Sequence, residues 1–154
     1  MSAVTFEVVS ESLVEALPDV VWAMLTRFDR YGDWTRSLQI AGDVRRGPEL
    51  AYIVPTVRAD GSVRHFTLDG RIEVVTPERA LVWSVRLSIF LTLRFRFDLT
   101  PTGEGCCLRH SVEGSGLLAS MVRGPLTLQF GPVVRQFVAD AAKAAPSIRC
   151  RHAP

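Results

Sequence analysis

The chain has 154 residues, 47% of them apolar, and a formal net charge of +2. This length suits one domain, residues 1–154, that buries roughly two-thirds of its surface on folding. The basic residues are scattered singly rather than gathered in a run, which argues against a nucleic-acid partner. No apolar run approaches the roughly 18 residues of a spanning helix, so membrane insertion is not expected.

The cysteines and the start of the chain bear on its compartment. Cys106, Cys107 and Cys150 are an odd number, and no Cys or His pattern has zinc-ligand spacing. The first residues lack the basic and apolar regions of a secretory signal. There is no Gly-rich phosphate loop, Ser-His-acid order or close carboxylate pair. These features predict a cytoplasmic protein with no metal and no cofactor.

The first elements are one strand and two short helices. β-branched and aromatic residues at 4–15 predict the strand. Pro18 and Asp19 suit the first turn of a helix that spans residues 18–27. The aromatic and turn-forming residues 28–34 can support little more than one further helical turn.

Turn signals then separate six further strands, which brings the sheet to seven. They are predicted at residues 38–45, 50–57, 64–75, 80–89, 91–100 and 106–113. The intervening turns are too short for parallel crossovers, so the sheet is predicted to be antiparallel.

Strict alternation indicates which side chains face the core. The strand at 91–99 places Arg94 and Arg96 on one side, opposite its apolar residues. The apolar sides of the three central strands are predicted to be Leu91, Leu93, Phe95, Phe97 and Leu99; Leu81, Trp83, Val85, Leu87 and Ile89; and Phe66, Leu68, Gly70, Ile72 and Val74.

Beyond residue 116 the apolar period lengthens to that of a helix. Its apolar face is predicted to hold Leu126, Phe130, Val133, Val134, Phe137 and Ala141. Gly124-Pro125 and Gly131-Pro132 predict a start in pieces or a kink, with an uninterrupted part at 132–145 and a flexible tail at 146–154.

This terminal helix is the only large apolar element left to cover the apolar side of the sheet. The predicted fold class is therefore α+β. One helix about 10 Å across cannot fill a curved sheet of seven strands, so empty space or a ligand is expected at its wide end.

Three segments carry a resemblance to a known superfamily. They are residues 16–22 (ALPDVVW), an opening helix with a Val-Trp pair; residues 28–34 (FDRYGDW), an aspartate, turn and tryptophan segment; and residues 70–83 (GRIEVVTPERALVW), a central hairpin. In these segments and in its element order the chain resembles the START-related lipid-transfer and polyketide cyclase superfamily, called SRPBCC.

The resemblance implies a helix-grip fold with a cavity between the sheet and the terminal helix. Members use that cavity for lipids, hormones, aromatic polyketides or protein partners. Aromatase and cyclase members place Arg, Tyr, His and acidic groups inside it. Here the alternation sends Arg86, Arg94, Arg96 and Arg109 to the wet face, which argues against catalysis.

His110 is the candidate catalytic residue because it shares an apolar strand face with Leu108 and Val112. Inside a cavity it can orient or deprotonate a ligand, or it can simply hydrogen-bond a backbone carbonyl. With His110, the predicted cavity lining is Tyr31, Trp34, Tyr52, Phe66, Trp83, Phe95, Phe97, Met121 and Phe130, which can equally be ordinary core.

Three functions are compatible with this pattern. The first is binding of a small hydrophobic molecule, lipid- or polyketide-like, in an internal cavity by a monomer or homodimer. The second is a polyketide cyclase, aromatase or dehydratase in which His110 or Tyr52 moves a proton. The third is a protein-interaction module whose arginine face binds an acidic partner.

Overall fold

A computed structural model describes residues 4–151, and its elements follow the predicted order. They are β1 (Val4–Val14), α1 (Pro18–Thr26), a 3-10 helix (Phe28–Asp33), β2 (Ile40–Gly42), β3 (Glu49–Val57), β4 (Val63–Thr76), β5 (Ala80–Ser88), β6 (Leu91–Pro101), β7 (Cys106–Ser115) and α2 (Ala119–Arg151). The strands form one sheet in the order β1-β7-β6-β5-β4-β3-β2. Every neighbouring pair is antiparallel.

The predicted α+β helix-grip architecture, with seven strands and a long terminal helix, is confirmed. α1 begins at Pro18. Proline lacks a backbone N–H, but an N–H in the first turn has no acceptor within the helix, so no hydrogen bond is lost there. Asp19 lies near the positive end of the helix dipole. Its buried residues are Val21, Met24 and Leu25. Within residues 4–151, no helix is both long and apolar enough to cross a membrane.

The central strands divide the sheet into an inner, apolar face and an outer, charged face. All five apolar residues of β6 are buried, as the alternation predicts. On the outer face Arg94 lies 2.9 Å from Glu73, and Arg109 lies 2.9 Å from Glu7. These two outward arginines therefore pair with glutamates of the same sheet.

The facing prediction was wrong where strands end or bulge. Leu87 and Ile89 are exposed because the β5–β6 register shifts after Arg86 and β5 ends at Ser88. Val74 is exposed because the β4–β5 register shifts between Ile72 and Val74.

Phe66 lies on the inner face as predicted, but it is 45% exposed. Its partner across the strands is Val54, and the next inner pair is Tyr52 with Leu68. Because α2 packs on β1, β7 and α1, it leaves this outer part of the β3–β4 hairpin uncovered.

β2 is shorter than predicted and α2 is longer. β2 is limited to Ile40–Gly42, and the chain turns immediately after it. α2 is one continuous helix through Pro125, Pro132 and Pro146, so the predicted start in pieces was wrong, and the predicted tail is helical up to residue 151. Residues 152–154 lie outside the described residues.

The spacing of the first two prolines accounts for this continuity. Pro125 and Pro132 are two helical turns apart and both are exposed. The carbonyls that lose an N–H partner therefore lie on the outer side of α2, where water can replace the missing hydrogen bond.

Candidate ligand-binding site

His110 lies on the inner face, midway along β7 and between β1 and β6. Its ring is fully buried and stacks on Phe97 with centroids 4.2 Å apart, and Phe137 of α2 approaches to 5.0 Å. Its Nδ1 lies 2.8 Å from the carbonyl oxygen of Arg96. A carbonyl only accepts, so Nδ1 carries the proton and donates it, and Nε2 is a bare acceptor. Within the described residues this Nε2 has no hydrogen-bond partner.

Burial also fixes the charge of this ring. Loss of hydration lowers the pKa of His110 to about 4, and the hydrogen bond to the Arg96 carbonyl opposes that shift only in part. His110 is therefore a neutral imidazole at physiological pH. It can accept a hydrogen bond from a hydroxyl, but it is a weak base.

A second group of rings surrounds Trp83. Trp83 stacks on Phe95 with centroids 4.0 Å apart, Tyr52 lies 5.3 Å from Phe95, and Phe130 of α2 meets Phe95 edge-on at 5.8 Å. The buried Nε1 of Trp83 has no acceptor among the described residues. Four predicted lining residues of the sheet, Tyr52, Trp83, Phe95 and Phe97, are thus brought together, and they pack on one another and on α2 as an aromatic core.

The two predicted tyrosines are neutral phenols. Tyr31 is buried, and its hydroxyl donates to the carbonyl of Leu25 at 2.6 Å. Burial holds the pKa of Tyr31 well above its usual value and raises the pKa of Tyr52 to about 12. Neither phenol can serve as a base near neutral pH.

Open space lies beside this core. A groove of about 830 Å³ runs between the segment that follows the 3-10 helix, β3 and the middle of α2. Its lining includes Trp34, Thr35, Pro55, Val133, Gln136 and Asp140. Trp34, predicted to line the cavity, is half-buried in the wall of this groove.

One aromatic side chain separates the groove from His110. The ring of Phe137 lies 5.1 Å from that of Trp34 on one side and 5.0 Å from that of His110 on the other. Phe137 is itself fully buried. A rotation of Phe137 or a small displacement of α2 would therefore connect the groove with the His110 ring.

A polar contact joins the groove's two walls. The buried Thr35 donates through Oγ1 to Oδ2 of Asp140 at 2.8 Å, and Gln136 donates through Nε2 to Oδ1 at 2.7 Å. Asp140 thus has a partner on each oxygen. The Thr35 bond joins the chain after the 3-10 helix to α2.

Two predicted lining residues are not brought to this region. Met121 is 75% exposed on the first turn of α2, and Phe66 is exposed on β4. The predicted cavity lining omitted Phe137, although this residue was predicted to lie on the apolar face of the terminal helix. Nothing in the sequence pointed to Thr35, whose partner Asp140 is 105 residues away along the chain.

The sheet order, the terminal helix and the aromatic interior define a helix-grip protein of the START-like class. The chain matches the family described as polyketide cyclase / dehydrase and lipid transport over residues 5–146, and it belongs to that family. Both ligand binding and polyketide cyclase activity fit this family. No curated protein sequence matches the chain closely enough to be counted as a relative.

Solved structures show the same fold at low sequence identity. A START superfamily protein from Mycobacterium smegmatis is 13% identical with a TM-score of 0.67, over 92% of this chain and 98% of that one. The protein MLL2253 from Mesorhizobium loti is 22% identical with a TM-score of 0.64, over 90% and 95%. The di-domain ARO/CYC BexL from the BE-7585A biosynthetic pathway is 13% identical with a TM-score of 0.65, over 91% of this chain and 50% of that one.

Proposed function

We propose that the chain binds a small hydrophobic molecule, lipid- or polyketide-like, in the groove and in the aromatic core behind Phe137. The observation that carries this proposal is the apolar surrounding of His110, whose ring is neutral and lies between Phe97 and Phe137. Among the described residues, the buried polar or charged side chains are Thr35, His110 and Ser111, and none is acidic. Such an interior favours a ligand held by apolar burial.

The two unpartnered ring nitrogens indicate what else the ligand carries. A buried polar atom without a partner costs about 1–3 kcal/mol, and a ligand that supplies the partner recovers that cost. His110 Nε2 accepts and Trp83 Nε1 donates. A hydroxyl group can serve either nitrogen, so we propose a hydroxyl-bearing hydrophobic ligand.

Substitution of Phe137 tests this proposal. The probe is N-phenyl-1-naphthylamine, a neutral dye that fluoresces in apolar surroundings. Phe137→Ala removes the ring between the groove and His110 and should tighten probe binding roughly tenfold, equivalent to about 1.4 kcal/mol. The matched control is Phe28→Ala, which empties a similar volume beside Tyr31, away from Trp34 and His110.

The position of the bound probe gives the second readout. The ring protons of His110 should shift in NMR spectra when the probe binds to Phe137→Ala. If both variants bind the probe equally, or if the His110 signals do not respond, the proposed site is wrong.

The unpartnered Nε2 of His110 also supports a second candidate function, polyketide cyclase or dehydratase activity. A bound hydroxyl or enol would donate to Nε2 and could transfer its proton there. Native mass spectrometry of the protein from its source would identify a copurifying substrate class. With that substrate, His110→Phe should lower turnover at saturating substrate about 100-fold if His110 moves a proton.

The interaction-module alternative has less support. Arg94 and Arg109 of the outer face already pair with Glu73 and Glu7, so an acidic partner would have to displace them. The scattered charges remain consistent with the absence of a nucleic-acid partner. We further propose that the protein acts in the cytoplasm as a monomer or homodimer.

A further inference from the structure

One end of the sheet carries an exposed apolar patch, here called the apolar tip. It consists of Ile89 and Phe90 in the β5–β6 turn, Leu117 before α2, and Met121 on the first turn of α2, which are 79%, 43%, 79% and 75% exposed. Exposed apolar residues are ordinary when single, but a contiguous group marks an interaction surface.

The residues of the apolar tip are held together by backbone contacts. Leu118 N–H donates to the Phe90 carbonyl at 3.0 Å, and Phe90 N–H donates to Ser88 Oγ at 3.0 Å. A side chain at Gly116 would collide with the Phe90 carbonyl, and Gly116 has a φ of 109°, so glycine permits this approach. The β5–β6 turn and the start of α2 therefore present one surface.

The turn itself is unusual in composition. Two-residue hairpin turns are normally built from Gly, Asn, Asp or Ser, which are polar or conformationally free. Here Ile89 and Phe90 occupy the turn and face outward. Folding gains little from the side chain of Ile89, which is 79% exposed, so its use in the turn indicates an apolar partner outside the chain.

Four arginines lie at the same end of the sheet as the apolar tip. Arg86 precedes it on β5 and Arg123 follows it on α2, and both are exposed. β4 begins at the end of the sheet where β5 finishes, so the β3–β4 hairpin adds Arg58 and Arg64 there. None of these four arginines forms an ion pair with a residue that the structure describes, unlike Arg94 and Arg109 of the outer face.

The acidic residues nearest this end do not cancel that charge. Asp60 in the β3–β4 turn accepts hydrogen bonds from Ser62, and Asp69 lies exposed on β4. These four arginines and two aspartates give this end of the sheet a net positive charge. A second copy of the chain docked tip to tip would bring like charges together, which disfavours self-association here.

We propose that the apolar tip docks on an anionic lipid surface, with Ile89, Phe90, Leu117 and Met121 in the headgroup layer and the arginines against lipid phosphates. Apolar side chains flanked by basic residues have the composition of a peripheral membrane contact. The contact is peripheral and no segment crosses the bilayer. It goes beyond the proposed ligand binding and does not depend on it.

Cosedimentation of the full chain with vesicles tests the apolar part of this contact. The protein should bind vesicles of phosphatidylglycerol and phosphatidylcholine in equal parts, and should stay in solution with phosphatidylcholine alone. The double variant Ile89→Ser, Phe90→Ser should reduce binding at least about tenfold. The matched control is Leu13→Ser, because Leu13 is 70% exposed and lies at the far end of β1, opposite Cys107.

The charged part has its own pair of variants. Arg86→Gln with Arg123→Gln should weaken vesicle binding about tenfold, and added salt should have the same effect. Arg79→Gln is the control, because Arg79 is exposed and lies in the β4–β5 turn at the opposite end.

Three results would overturn the proposal. They are a protein that stays in solution with anionic vesicles, controls that lose as much binding as the test variants, or a dimer without vesicle affinity that Ile89→Ser disperses. Probe binding to the groove is measured without vesicles, so failure of the proposed function would be seen separately.

Discussion

His110 forms a hydrogen bond through one ring nitrogen and leaves the other without a partner among the described residues. Its Nδ1–H bond to the Arg96 carbonyl lies between neighbouring strands and orients the ring, while Nε2 has no partner within the described residues. A side chain that served packing alone would be replaceable by phenylalanine, which stacks equally well on Phe97 and leaves no unpaired nitrogen. The unfilled acceptor is therefore the residue-level feature that most favours a polar group on the ligand.

The buried imidazole should make folding stability fall in mild acid. The pKa of His110 is lowered from 6.5 to about 4 by burial, so between these values the unfolded chain binds a proton that the native state does not. The contribution of the neutral imidazole to the free energy of unfolding is fully present above pH 6.5. It decreases as the pH falls toward 4, by roughly 3 kcal/mol in all. Urea titrations of wild type and His110→Phe across this range should show a flatter profile for the variant.

A control at another histidine completes this prediction. His65 lies exposed on β4, so His65→Gln should keep the wild-type profile. His110→Phe should also lose about 1–2 kcal/mol at pH 7, because the hydrogen bond from Nδ1 to the Arg96 carbonyl is lost. A wild-type profile that is already flat between pH 4 and 6.5 would contradict the buried, neutral assignment.

The burial of His110 could be predicted from the sequence, because alternation with Leu108 and Val112 fixes its face. The separation of His110 from the groove could not be predicted from the sequence. That depends on Phe137 of α2, and the angle and position of one helix across a sheet are set by packing among residues far apart in the sequence.

At the scale of elements, β6 shows the clearest division between the two faces. Phe95 and Phe97 are fully buried among aromatic rings, whereas Arg94 and Arg96 lie toward solvent near carboxylates. Phe95→Ala or Phe97→Ala should lower the free energy of unfolding by about 3–5 kcal/mol. Arg94→Ala or Arg96→Ala should cost under about 1 kcal/mol. Denaturant titrations giving equal losses at all four positions would contradict this division.

Periodicity predicts the middle of a strand better than its end. Trp83 and Val85 are buried as the alternation requires, but Leu87 and Ile89 of the same strand are exposed. A register shift after Arg86 adds one residue to the strand and redirects the side chains that follow. Bulges depend on the neighbouring strand, so a single strand's pattern carries no signal for them.

The start of α2 should be the least stable part of that helix. Most side chains between Ala119 and Gln129 are exposed, whereas Phe130, Val134 and Phe137 are fully buried. Amide exchange should therefore be faster at residues 119–129 than at 133–145. Bound N-phenyl-1-naphthylamine should slow exchange near Phe137. Uniformly slow exchange along the whole helix without a ligand would contradict a movable segment there.

At the scale of the whole molecule, α2 covers only part of the inner face. It packs on β1, β7 and α1, and it leaves the outer β3–β4 hairpin uncovered, with the groove between that side of the sheet and α2. The sequence predicted that one helix would not fill the sheet. It did not predict that aromatic side chains would pack against one another and against α2 in the interior, or that grooves would lie at the surface, one of them beside Trp34.

The Thr35–Asp140 hydrogen bond should control how readily this groove opens, because it joins the chain after the 3-10 helix to α2. Thr35→Val keeps the shape of the buried side chain and removes its hydroxyl, which donates to Asp140 and accepts from the Ser37 N–H at 3.2 Å. It should lower the free energy of unfolding by about 1–2 kcal/mol. It should also increase the association rate of N-phenyl-1-naphthylamine in stopped-flow measurements, since α2 then moves away from Trp34 at lower cost.

Gln136→Ala is the control for this effect, because Gln136 binds the other oxygen of Asp140 from within α2 and does not connect the two walls. Its loss should cost under about 0.5 kcal/mol, as for an exposed i,i+4 pair, and should leave the association rate unchanged. Equal changes in the two variants would mean that Asp140 serves only the stability of the helix. A faster rate in Thr35→Val alone would identify the contact between the groove walls as the barrier to ligand entry.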